Sequence, residues 1–447
     1  MKNKRQHKLA VLAGGLVALL ALQSPLAVAQ EDGGAQGGGD AAQGDAGAQE
    51  GSTAREGAIS LDEKSPISFT VSQSVLWHDN IFYFPDKEYL SPANQEKKRS
   101  DTLYITRASV NFDKQYSRQA FHAGLGVSQT WYGTHSDYNN TSPDANLGWD
   151  WRIGDRLSGV LGYSASQSFV GFDDTYTGVN TVEQDRVMRR LSRANASVDF
   201  WWHPNWATGF GFSDVRNSYS DDARPHDEYE TQDMSLNVTY RPSTGNRLVL
   251  GYHVQDGQYS NRAKAPGSLR DWEQRSPRLT GQWRLSGVTQ LNGYIGHTKR
   301  KYDLAPERNF SGVTGKIGIH WTPTGKAIID LSWRREIGAD ADVISNFAVS
   351  QGWTVKPTWV ISSKVRLGAD YEYLKRDYRG DPGYILGGVS WENPKNAKTT
   401  SYGLNLEYSP VPYGNIALGY RHQERDTADE RYGYRARIVS LTGRLTF

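Results

Sequence analysis

Arginine and lysine recur along this chain at even spacings within short segments that also carry aspartate or glutamate. Arg107 shares its parity with Asp113, Arg152 with Asp150, and Arg366 with Asp370 and Glu372. Arg189, Arg193, Arg247, Arg278, Lys316 and Arg334 follow the same pattern, with Asp199, Asp233, Asp330 and Glu407 among the carboxylates. Two kinds of chemistry fit. A row of such cations concentrates anions from solution. Set side by side on neighbouring strands, the same charges instead neutralise one another as a ladder that stiffens a wall. Tyr132, Tyr259 and Tyr294 share the polar parity. Aromatic faces flanked by Arg, Asp and Asn stack on sugar rings and bond their hydroxyls.

Catalytic and metal-binding patterns are sparse. His122, His253, His297, His320 and His422 fall on separate segments without metal-ligand spacing, and there is no GxSxG elbow, phosphate loop or Walker lysine. The chain has no cysteine, which removes thiolate chemistry, disulfides and lipid-modified amino-terminal Cys. The expectation is no catalytic residue, no metal, no cofactor and no nucleic-acid partner. An Asp, His and Ser set assembled across strands is the enzymatic alternative.

The elements that must position these charges are strands. At the carboxyl end Val439, Leu441, Gly443, Leu445 and Phe447 alternate with Ser440, Thr442, Arg444 and Thr446. A strand turns successive side chains to opposite faces, so this one has an oily side and a wet side. The same alternation runs through Ile67–Val71, Tyr104–Asp113, Ala145–Arg152, Asp233–Tyr240, Arg247–His253, Ile329–Arg334, Lys364–Tyr373 and Ser401–Tyr408. Compact turns such as Gly154-Asp155, His203-Pro204-Asn205, Ser286-Gly287, Pro323-Thr324-Gly325, Lys356-Pro357-Thr358 and Pro410–Gly414 recur, most with an aromatic just before them. Their spacing of roughly forty residues fits two membrane-spanning strands and one longer loop. The fold expected is all-β: a transmembrane antiparallel up-and-down β-barrel of about 18 strands, with 16 as the alternative. A soluble propeller or solenoid is the rival. The mean hydropathy of −0.66 does not exclude a barrel, because half of each wall faces water.

Residues 1–29 read as a signal peptide, with Lys2, Lys4, Arg5 and Lys8, an apolar run from Leu9 to Leu22 and small residues at Ala27–Ala29. Residues 30–60, rich in Gly, Ala, Gln and acidic side chains, read as a disordered periplasmic tail. Residues 61–447 are then the barrel in the outer membrane of a Gram-negative cell, in contact with lipid and lipopolysaccharide. A barrel of sixteen or eighteen strands leaves an aqueous channel, and the basic residues that predominate on its polar parity favour anionic solutes.

The opening strand from Ile67 with its SVLWHDNIF continuation, the turns at Tyr240-Arg241-Pro242 and Trp321-Thr322-Pro323, and the closing LTGRLTF together resemble the EpsL-type exopolysaccharide-biosynthesis outer-membrane barrels. That resemblance implies export of a polysaccharide chain, with a separate periplasmic polysaccharide-export protein as partner. The close also resembles outer-membrane barrel termini, which implies that Phe447 and Leu445 are the signal read by the barrel-assembly machinery. The alternative from the residues alone is a diffusion porin for small anionic or sugar nutrients; an adhesin scaffold is a third reading.

Overall fold

The computed structural model describes residues 65–90, 92–172, 186–220, 228–242, 245–265, 268, 270–306, 309–339, 347–379, 385–386, 389–390, 396–427 and 430–447. The leader and tail expected over residues 1–60 lie outside these residues.

Eighteen strands form one closed antiparallel sheet. In chain order they are β1 (Ile67–His78), β2 (Asp101–Tyr116), β3 (Gln119–Tyr132), β4 (Asn140–Ile153), β5 (Leu157–Phe169), β6 (Met188–His203), β7 (Trp206–Tyr219), β8 (Tyr229–Tyr240) and β9 (Arg247–Gln258). The second half comprises β10 (Asp271–Ser286), β11 (Thr289–Tyr302), β12 (Phe310–Thr324), β13 (Ala327–Ala339), β14 (Phe347–Val360), β15 (Val365–Arg379), β18 (Ala397–Val411), β19 (Gly414–Thr427) and β20 (Tyr434–Thr446). Two short strands between them, β16 (Ile385–Leu386) and β17 (Val389–Ser390), pair only with each other.

Each barrel strand pairs with its sequence neighbours, and β1 pairs with both β2 and β20. The seam runs from His78↔Ile438 to Thr70↔Thr446. One residue further, Phe69 and Phe447 exchange both backbone bonds, at 2.9 and 2.8 Å. The chain's last residue therefore belongs to the closure. Closure matters because a strand edge in hydrocarbon would leave its N–H and C=O groups without partners.

The register divides the wall into two faces. The outward one carries Phe69, Leu125, Leu147, Leu161, Phe210, Leu236, Leu250, Leu279, Leu404 and Leu418, all exposed. Trp149, Trp202, Trp206, Trp321, Trp359 and Tyr408 stand near the short turns as a girdle. On β10 the apolar band runs from Pro277 to Leu285, a rise of about 20 Å for a strand tilted about 45°, close to the height of an outer-membrane barrel's lipid belt. Above it the same face becomes charged, with Glu273 and Arg275 on β10, Lys299 and Lys301 on β11, and Asp214, Arg216 and Glu230 on β7 and β8. This wall is that of an outer-membrane β-barrel.

The sequence places most strand starts within a few residues. It is furthest off at β4, which starts at Asn140 and not Ala145, where the alternation starts the strand. Pro143 pairs with Val127 of β3 and lies just past the last rung to β5, Asp144↔Ser166, so its missing N–H costs no bond there. Lys356-Pro357-Thr358, expected as a turn, lies inside β14 at a gap in its ladder with β15.

Gly293 on β11 has φ +135°, and a Cβ there would lie 2.0 Å from the Lys316 carbonyl oxygen. Gly293→Ala is expected to destabilise the barrel by about 1–3 kcal/mol. A lowered urea midpoint, followed by the folded-barrel mobility on unheated gels, checks this; an unchanged midpoint contradicts the register drawn at β11–β12.

Candidate functional site

The inward face holds the charges that the sequence assigned to one parity. Arg107, Arg152, Arg189, Arg193, Arg247, Arg278, Lys316, Arg334 and Arg366 all lie on it by register, as do Tyr132, Tyr259 and Tyr294. They ring the lumen at different heights and do not converge on one pocket. Arg152 and Arg366 stand near the short turns, Arg107, Arg193, Arg278, Lys316 and Arg334 at mid-wall, and Arg189 near the long-loop end.

Many of these charges are paired across a strand, not with the adjacent one. Arg107 on β2 reaches Asp144 on β4 at 2.7 Å, touching Ser128 of β3 at 3.1 Å on the way. The residue that makes room is Gly126: a Cβ there would lie 2.6 Å from both the Arg107 guanidinium and the Asp144 carboxylate. Arg421 on β19 meets Asp370 on β15 at 3.0 Å, and the intervening partner on β18 is Gly403, whose Cβ would fall 2.4 Å from Asp370 Oδ1. Arg334 on β13 meets Glu372 on β15 at 3.3 Å, with Gly352 of β14 opposite Arg334. Arg247 lies 4.0 Å from Asp199, which itself rests over Gly209. The recurring device is a long ion pair laid flat over a glycine. It holds the side chains against the wall, out of the lumen axis.

Histidines join the same network. His122 lies 2.7 Å from Asp113 and 3.6 Å from Asp150, His253 lies 3.1 Å from Asp233, and His320 lies 2.7 Å from Asp330. His297 and His422 have the outward parity. Among the described residues no group of three His, Cys, Asp or Glu could hold a metal ion.

Five of the expected cations stand apart. Arg152, Arg189, Arg193, Lys316 and Arg366 have no carboxylate partner among the described residues, Arg189 donating instead to Asn217 Oδ1 at 2.6 Å. Arg366 faces Glu407 across the β15–β18 ladder, but that carboxylate accepts from Asn415 Nδ2. Lys316 lies between Tyr294 and Arg334 in its row, and Arg152, Lys316 and Arg366 are exposed to the lumen.

The tyrosines are not equivalent. Tyr294 is buried; its hydroxyl donates to Glu336 at 2.7 Å and its ring lies 5.0 Å from the Arg278 guanidinium. Tyr259 packs among Tyr229, Trp272, Tyr302 and Phe310 near the long-loop end, with Arg262 over its ring at 3.8 Å. Burial pushes its phenol up, so it stays a neutral group. Tyr132 is partly open and meets Tyr138 and Phe169 edge-on. The structure thus covers two of the three ring faces expected to line a sugar path.

Sequence reading missed two contributors. Asp144 was lost with the late start of β4. Glu336 gave no spacing signal. The loop over residues 79–100 folds back through Asn80, whose side chain donates to the Phe84 and Arg435 carbonyls, and through Tyr83, stacked edge-on against Tyr434 and His78. Phe82 continues the contact to His135, Tyr138 and Phe172, so this loop packs against the long-loop end of β1–β5.

No family model and no curated protein matches the chain. Among solved structures it is similar to OccK2 (OpdF) of Pseudomonas aeruginosa in complex with glucuronate, at 9% identity and TM-score 0.44 over 86% of this chain and 96% of that one. It is similar to OccAB3 of Acinetobacter baumannii at 10% identity and TM-score 0.45, over 85% and 98%. A BenF-like porin from Pseudomonas fluorescens Pf-5 gives 11% identity and TM-score 0.46, over 87% and 100%. The expected membership of the EpsL-type exopolysaccharide family is corrected on these findings: no family model supports it, and the structures resembled are outer-membrane proteins and porins. The reading as a polysaccharide-export channel, which rested on that resemblance, falls with it. Its physical weakness is that aromatic-Pro turns and an alternating close serve any barrel of this size.

Asp370→Asn leaves Arg421, 6% exposed at its side chain, without its counter-charge. A loss of about 3 kcal/mol in unfolding free energy is expected, read from the denaturant midpoint of tryptophan emission. A change below about 0.5 kcal/mol would mean the pair is solvated like a surface one.

Proposed function

We propose that this barrel is a passive outer-membrane channel for small anionic solutes, with small sugars as secondary cargo. The observation that carries the reading is the excess of inward cations without a carboxylate partner among the described residues (Arg152, Arg189, Arg193, Arg300, Lys316, Arg366 and Arg444) over the inward carboxylates that meet only histidine or an amide (Asp150, Asp233, Asp330 and Glu407). Fixed charges on low-dielectric walls raise the local concentration of counter-ions and admit them ahead of co-ions. Arg152 and Arg366 near the short turns and Arg193 and Lys316 at mid-wall give an anion successive stations without a deep well. Binding strong enough to enter yet weak enough to leave is what conduction requires. The ion pairs laid over glycines supply rigidity, not selectivity.

In this reading the short turns and the amino-terminal tail face the periplasm, the longer loops face outside, and Phe447 with Leu445 presents the assembly signal. The channel performs no covalent chemistry.

Liposome swelling tests the proposal. Proteoliposomes are expected to admit small sugar acids and monosaccharides and to exclude oligosaccharides of a dozen units. The Arg152→Gln, Lys316→Gln, Arg366→Gln triple variant is expected to slow sugar acids several-fold while leaving monosaccharides nearly unchanged. Equal slowing of both, or no swelling with any solute, overturns it.

A further inference from the structure

The outward face is not uniform around the barrel. From β6 to β20 its outer rim carries charges on most strands: Arg190, Arg216, Glu230, Lys299, Lys398 and Arg437 are examples. On β1 to β5 the outward residues toward the same rim are Trp77, Tyr104, Trp131, Thr141 and Gln167; the one charge beside them, Asp79 just past β1, accepts from the Arg437 backbone N–H. That sector should be the best lipid contact of the whole wall. It instead contains an unbroken polar row.

The row follows the hydrogen-bonding direction from strand to strand: Gln73 of β1 faces Thr106 of β2, which faces Gln129 of β3, which faces Thr141 of β4. Gln73, Thr106 and Gln129 each lie below an aromatic of their own strand's outward face, namely Trp77, Tyr104 and Trp131. Interfacial aromatics mark the headgroup level, so these three are inside the apolar band. Uncompensated amide groups are costly in hydrocarbon. The wall satisfies part of the need: Thr106 donates to Gln73 Oε1 at 2.5 Å, and Thr141 donates to Gln129 Oε1. The Gln129 amide nitrogen has no acceptor among the described residues, and the Gln73 amide reaches only the Ser74 carbonyl, at 3.4 Å. Beside the row the face is low, with Gly443 facing Gln73 on β20 and Ala108 next along β2.

We propose that the outward face of β1–β4 is where a second copy of this chain docks. A carboxamide is both donor and acceptor, so the row is complementary to itself: the glutamine amides of one copy can bond the glutamine and threonine oxygens of the next. The sparse charge on these strands fits the same occupant, because a densely charged rim would be stripped of water in a contact between two barrels. Lipid offers the row no hydrogen-bond acceptors at that depth. Small residues and side-chain amides are the groups that hold membrane segments together where hydrophobicity cannot.

The test is the mass of the assembly extracted from membranes with its lipid, by mass photometry in polymer-bounded discs. The chain is expected to run as two or more copies. The Gln73→Leu, Thr106→Val, Gln129→Leu triple variant, which suits lipid better and should still fold, is expected to run as one copy, with its folded state confirmed by heat-modifiable gel mobility. Leu250→Ala on the opposite wall is expected to leave the mass unchanged. A single copy for the unaltered chain, or multiple copies for the triple variant, overturns the assignment. If the triple variant misfolds, Gln129→Leu alone serves, with a fall in the multimer fraction expected and an unchanged fraction counting against the face.

Discussion

A strand in hydrocarbon must have every backbone N–H and C=O bonded within the protein, and everything else in this molecule follows from meeting that condition. The condition is met at one seam, where β1 and β20 pair and Phe69 and Phe447 exchange their backbone bonds. Once the sheet is closed, alternation fixes which side chains see lipid and which see water. A register slip of one residue would put Arg444 and Thr442 into the bilayer and Leu445 and Leu441 into the lumen, which is why the polarity pattern specifies the register so firmly.

Inside the wall the problem is different. Many long charged side chains must share a concave surface without filling it. Glycines at Gly126, Gly209 and Gly403 let arginine and aspartate lie flat across a neighbouring strand. In the proposed channel the field is set by the charge that survives this pairing, carboxylates that meet only histidine or an amide included, and not by the gross excess of basic residues. Arg107, Arg334 and Arg421 count for little in that field, because each has a carboxylate within hydrogen-bonding distance.

The fold was largely legible from the sequence because period-2 alternation and a terminal aromatic are properties of each strand alone. Strand number, the two faces and most boundaries were readable for that reason. Pairing was not, since Arg107 and Asp144 meet only through the register of two ladders, and Asp144 falls one residue before Ala145, where the alternation starts the strand. Parity identified Tyr259 and Tyr294 as inward-facing, yet packing near the rim and a hydrogen bond to Glu336 cover their rings, which no local pattern reveals. The polysaccharide reading failed for the opposite reason: it drew function from features that the membrane, not the cargo, imposes.

The central claim is that the lumen is a water-filled path whose unpaired charge is positive. Reversal potential in a planar bilayer under a potassium chloride gradient tests it most directly. Open channels with a reversal potential on the chloride side of zero are the result this account requires. Cation selectivity, or a bilayer that stays silent with correctly folded protein inserted, would contradict it.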